Sequence, residues 1–153
     1  MSLRSMEFPV RIPFVEAMGF ELLSMHDGEA EIALTLRPDQ RNSLSMAHGG
    51  VTMTLLDVTM AHAARSADVS AGAAPGTLGR GVITVEMKTM FMRPAVGRLT
   101  ARASVLSRTL TLAFCDASLF DEAGVRVAHA TGSFKYLTRA AVDGRRVRGM
   151  GGD

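Results

Sequence analysis

One stretch limits what this chain can fold into more than any other. From Gly49 to Ala64, sixteen residues carry a single charge, Asp57, among apolar and small side chains. On a helical wheel the apolar residues fall on every face. A helix over 48–66 therefore has to be covered on several sides rather than laid on a surface. With a charge at its middle, it also falls short of the roughly 18 apolar residues of a membrane span. Something has to wrap it, and the rest of the chain supplies strands. Ala30, Ile32, Leu34 and Leu36 alternate with Glu29, Glu31, Ala33 and Thr35, the period of two of a half-buried strand. With Glu21 to Met25 and the turn signal His26-Asp27-Gly28, residues 20–37 read as a hairpin.

Beyond the helix, residues 67–80 are rich in Ala, Gly and Ser and read as a loop. The period of two then returns four times, over 81–92, 98–107, 111–120 and 125–137. The second of these sets Leu99, Ala101, Ala103 and Val105 against Arg98, Thr100, Arg102 and Ser104. Pro94 and Gly97 separate the first two strands, and Asp121-Glu122-Ala123-Gly124 turns between the last two. Four sequential strands predict an antiparallel meander. Pro9 and Pro13 around a short apolar stretch ending at Gly19 predict one or two helical turns. The expected architecture is α+β: a hairpin, one apolar helix and a four-stranded meander, with the sheet wrapped around the helix.

Composition sets outer limits. The 153 residues suit one domain. A single cysteine, Cys115, excludes an internal disulfide framework and a cysteine-built zinc site. The net charge of +2 comes from residues 139–153, where Arg139, Arg145, Arg146 and Arg148 face Asp143 and Asp153. The body, 1–138, is neutral and shows no basic face, so no nucleic-acid partner is expected. Residues 139–153 are expected to form a frayed Gly- and Arg-rich tail. No membrane span is present and Met1 to Val10 has no signal-peptide core, which makes a cytoplasmic protein the expectation.

The segment that can carry chemistry runs Asn42-Ser43-Leu44-Ser45-Met46-Ala47-His48-Gly49-Gly50 into the helix. Glycines at a helix start leave unpaired N–H groups unshielded where the helix dipole is positive. Such N–H groups suit an oxygen that becomes negative during reaction. The same glycines also permit a tight turn or close packing. Asp57 is costly to bury unless paired, open to a cleft or functional, and desolvation would raise its pKa and make it a better base. His48 and Asp57 are nine residues apart, about 13.5 Å and about 900° along a helix, hence on opposite sides. They cannot meet around one reacting carbon within one chain. If both serve one site, two chains build it, and a two-fold dimer would make two such sites. His26, His62 and His129 fall outside this pattern. No cluster has metal-ligand spacing, so no metal is expected. The glycines of 71–81 match no phosphate-binding fingerprint.

Asn42, then His48-Gly49-Gly50, then Asp57 within an apolar helix, then a strand ending Met90-Phe91-Met92-Arg93-Pro94-Ala95, resembles the hotdog-fold acyl-CoA thioesterases of the phenylacetate-pathway (PaaI-like) type. The similarity spans roughly residues 14–137. It implies a curved antiparallel sheet around one long helix, and a homodimer with interfacial sites, usually paired into a homotetramer. It implies an acyl-CoA substrate and no cofactor beyond the coenzyme A of that substrate. By the same resemblance, Asp57 attacks the thioester or activates water against it. The Gly49 N–H polarises the carbonyl, with Gly50 beside it. Asn42 and His48 orient the carbonyl, the water or the loop, and Thr84 positions water. Arg93 and Arg108 are where contacts to coenzyme A phosphates could form. A non-catalytic acyl-CoA-binding module and a hotdog hydratase or dehydratase are the alternatives.

Overall fold

The computed structural model describes residues 4–70, 72–74 and 77–138. The expected tail, 139–153, lies outside the described residues. The elements are α1 (Pro13–Met18), β1 (Glu21–His26), β2 (Glu29–Thr35), a 3-10 turn (Pro38–Gln40), α2 (Gly49–Ala67), β3 (Val82–Phe91), β4 (Arg98–Arg108), β5 (Leu112–Phe120) and β6 (Arg126–Tyr136). Pro13 starts α1, where its missing N–H costs nothing, and Gly19 ends it in the left-handed conformation at φ 75°. Asp27 and Gly28, both at positive φ, turn β1 into β2.

The six strands form one antiparallel sheet in the order β1-β2-β4-β5-β6-β3. The core lies between the sheet and α2. Leu22, Ile32, Leu34, Leu99, Leu119 and Phe134 from the strands are fully buried with Leu55, Leu56 and Met60 of the helix. Each such side chain contributes about 1.5–3 kcal/mol through burial. The sheet bends around the helix with the help of register shifts at Leu22/Ser24, Thr84/Glu86, Val105/Ser107 and Leu119/Phe120. Such bulges add twist and curvature. This is the hotdog architecture: a curved antiparallel sheet wrapped around one long helix.

The expected meander requires a correction. β4, β5 and β6 follow one another, but β3 does not pair with β4. It lies at the far edge against β6, with Thr84 opposite Phe134 and Met87 opposite Gly132. The reason lies in residues 92–97. Met92 and Arg93 donate their N–H groups to the Val127 carbonyl, Ala47 donates to the Ala95 carbonyl, and Leu36 donates to Gly97. The chain crosses beneath the start of α2 from the β6 side to the β2 side. This crossover bounds the opening at the helix N-terminus.

Candidate active site

The loop before α2 is held from within. The Asn42 side-chain oxygen accepts from the N–H groups of Leu44 (2.9 Å) and Met46 (3.2 Å), and the Asn42 N–H donates to the Met46 carbonyl. An asparagine able to close such a turn on its own backbone lets Ser45 adopt φ 60°. Its oxygen is thereby committed to the loop, and its NH2 group is what it can offer to a ligand. Gln40, 4% exposed, anchors the same loop. Its amide donates to the Met18 carbonyl (2.7 Å) and accepts from the Arg37 N–H (3.0 Å), while its backbone carbonyl accepts the His48 N–H (2.9 Å).

His48 is the N-cap of α2. Its Nδ1 accepts from the Gly50 N–H at 3.0 Å. The neutral ring therefore carries its proton on Nε2. The two glycine donors expected at the helix start are thus unequal. The Gly50 N–H is already engaged by the cap, whereas the Gly49 N–H has no hydrogen-bond partner among the described residues. Gly49 lines a groove of about 440 Å³ together with Asn42, Phe91, Arg93, Pro94 and Ala128. Arg93 donates to the Arg126 carbonyl at 3.0 Å.

Asp57 opens into a different cleft. Half-buried on α2, it shares about 300 Å³ with Phe14, Met53, Val58, Thr84 and Met87. The Thr84 hydroxyl donates to Asp57 Oδ1 at 2.7 Å, which leaves Oδ2 as the free oxygen. Burial raises the Asp57 pKa above the ordinary carboxylate value, and the Thr84 hydrogen bond opposes part of that rise. A bulge at Val85 follows directly on this contact. Thr84 stands opposite the buried Phe134, Val85 has no partner, and Glu86 stands opposite Ser133. The alternation shifts by one there, so Met87 rather than Glu86 returns to the helix side.

Arg108 does not join either cleft. It lies at the other end of α2, where it donates to Asp68 at 2.9 Å and stacks over Tyr136. Arg80 holds the same carboxylate through two side-chain nitrogens and its backbone N–H. His62 is buried, edge-on to Phe8, with Nδ1 at 2.7 Å from the Val58 carbonyl. His129 contacts Ser118 on β5. Burial pushes the Cys115 thiol up to about 12, which makes it a poor nucleophile. Three residues around the clefts gave no motif signal. Gln40 is a single polar residue in a loop, and Phe14 and Met87 look like ordinary core positions.

One chain thus presents two separate clefts, one with an unpaired backbone donor at a helix start, the other with a partly desolvated carboxylate and a hydroxyl beside it. The model of the thioesterase superfamily matches residues 44–141, a range that includes His48, Gly49, Asp57 and Thr84. The chain belongs to the thioesterase superfamily. Among solved structures, the conserved protein PA5202 of Pseudomonas aeruginosa is 27% identical with a TM-score of 0.74, over 84% of this chain and 97% of that one. A mutant of the phenylacetic acid degradation protein PaaI from Thermus thermophilus is 27% identical with a TM-score of 0.69, over 82% and 100%. The PaaI protein of the phenylacetic acid degradation operon of E. coli, 22% identical with a TM-score of 0.75 over 85% and 88%, shares the fold. No curated protein matched the sequence. Superfamily membership supports thioester hydrolysis. Among the described residues no helix is long and apolar enough to cross a membrane.

Proposed function

We propose that the protein is an acyl-CoA thioesterase that hydrolyses its substrate to a free carboxylic acid and coenzyme A, at sites shared between two copies of the chain. The observation that carries this reading is the separation of the two half-sites. Gly49 and Asp57 line different clefts of one chain, and their eight-residue spacing on α2 sets them about 12 Å apart along the helix axis, too far to meet around one carbonyl carbon. The half-exposed side of α2, with Met53, Asp57, Val58 and Ala61, is where a second copy would complete the covering of an apolar helix.

In such a site the thioester carbonyl sits against the Gly49 N–H of one chain and faces Asp57 of the other. Asp57 Oδ2 takes a proton from water as the water oxygen bonds to the carbonyl carbon. The carbonyl electrons move to oxygen, where the Gly49 N–H and the positive end of the helix dipole stabilise the charge. Collapse breaks the C–S bond, expels the coenzyme A thiolate and leaves the acid; the thiolate recovers the proton from Asp57. Direct attack by Oδ2 to give an anhydride, then hydrolysed, uses the same geometry. In both routes Thr84 holds Asp57 through Oδ1. On this reading the Asn42 NH2 and the His48 Nε2–H orient the carbonyl or the water. On the same reading Arg93, which lines the Gly49 groove, meets a coenzyme A phosphate. The reaction needs no cofactor.

Thiol release from a panel of aliphatic and aromatic acyl-CoAs tests the reading. The wild type is expected to release thiol, and Asp57→Asn to lose about 100-fold or more in kcat while keeping its fold and oligomeric state. Full activity of Asp57→Asn on every active ester would contradict it. Tight ester binding without thiol release would instead indicate a binding module, and a hydrated product from an enoyl-CoA would indicate a hydratase.

A further inference from the structure

The cleft around Asp57 has one wall that the reaction does not use. α1 buries Val15, 2% exposed, in the core and leaves its neighbour Phe14 60% exposed. That ring does not face open solvent alone. It borders the Asp57 cleft with Met53, Val58 and Met87, all of them apolar. A large aromatic surface left uncovered beside a carboxylate is a surface for a ligand's apolar part.

The wall is also fixed in place. The carbonyls at the end of α1 are clamped: Arg37 donates to Ala17 (3.0 Å) and Met18 (3.2 Å), and Gln40 donates to Met18 (2.7 Å). Gln40 is the buried residue that also receives the His48 N–H. The position of α1 is thereby tied to the same loop that sets the start of α2. The other apolar neighbours behave differently. Met53 and Met87 are flexible and can reshape to several ligands, whereas Phe14 has a stiff ring on two torsions and hangs from a clamped helix.

We infer that Phe14 is the specificity-determining wall for the acyl group: its ring packs against the carbons of the acyl chain beyond the carbonyl and limits how far that chain can extend. This rests on the thioesterase reading above. Phe14 is one of seven residues that line this cleft in the single chain, so removing its ring changes the cleft substantially. The chemical class admitted is a short or compact apolar acyl group.

The experiment measures kcat/KM for acetyl-, butyryl-, octanoyl- and phenylacetyl-CoA with wild type, Phe14→Ala and Phe14→Trp, with thermal melts on each. Phe14→Ala is expected to raise the octanoyl-to-acetyl ratio about ten-fold, and Phe14→Trp to lower it. A role in folding alone would scale all four esters together and leave the ratio within about two-fold of wild type. That result, in variants that still release thiol, overturns the assignment of Phe14 and leaves the thioesterase reading intact. If the wild type releases no thiol from any ester, the thioesterase reading fails and the assignment with it.

Discussion

Asp57 is held between two opposing influences, and both can be measured. Burial favours the protonated carboxyl, and the Thr84 hydroxyl favours the carboxylate. Because the folded chain holds that proton to higher pH than the unfolded chain does, ionisation opposes folding. The stabilising contribution is present below the ordinary carboxylate pKa and is lost as pH rises through the raised one. Asp57→Asn is therefore expected to melt higher than wild type at neutral pH and to show no advantage in acid; a lower melting temperature at neutral pH would contradict the desolvation account. Activity has the opposite sign, since the base works ionised. Thr84→Val, which keeps shape and removes the donor, is expected to move the acid limb of the kcat profile to higher pH and to cut kcat about ten-fold. An unmoved limb would show that Thr84 does not act through Asp57. Gly49 allows an equally sharp test. It occupies the first position of α2 after His48, whose φ −60° and ψ 140° suit the residue before a proline. A Cβ there meets only the Phe91 ring at 3.6 Å, an ordinary contact. Gly49→Pro therefore deletes the unpaired N–H in a conformation the helix start accepts. About a 100-fold loss of kcat is expected with little change in stability, read by thiol release and thermal melting.

The elements were legible in proportion to how local their causes are. The span of α2 follows from its apolar run and the glycines at its start, and β2 and β4 from their alternation. The placement of β3 was not legible, because it depends on where residues 92–97 cross. That crossing is fixed by backbone hydrogen bonds to Ala47 and Val127, which no residue type announces. The bulge at Val85 was hidden for a similar reason: Thr84 and Glu86 share one parity in the sequence, and only the pairing with Phe134 and Ser133 separates them. The motif residues Asn42, His48 and Asp57 were visible, but not that the Asn42 oxygen closes its own loop or that His48 occupies Gly50. Arg108 shows the limit of reading charge from sequence. Two guanidinium groups, Arg80 and Arg108, hold the Asp68 carboxyl far below the usual range at the end of α2. The stability this supplies is present above the ordinary carboxylate pKa and is lost as pH falls below it. Asp68→Asn is expected to cost about 1–3 kcal/mol at neutral pH by urea titration, and the difference from wild type should shrink in acid. A neutral-pH cost near zero would mean that the cluster is only a surface feature.

At the scale of the whole molecule, a single chain satisfies its own core but, on the proposed shared-site reading, not its chemistry. The sheet covers Leu55, Leu56, Thr59, Met60 and Ala63 of α2, while Met53, Asp57, Val58 and Ala61 stay partly exposed on the other side. The carboxylate and the backbone donor then belong to different clefts, and two copies arranged about a two-fold axis would pair each donor with the other chain's carboxylate. Subunit complementation tests this most directly. Asp57→Asn and Gly49→Pro, each inactive alone, are mixed under conditions that exchange subunits, and thiol release is followed. In a shared-site dimer each mixed pair contains one site with both groups intact, so equal mixing is expected to restore about a quarter of wild-type activity. A mixture that exchanges subunits and stays as inactive as its parents would contradict the shared site.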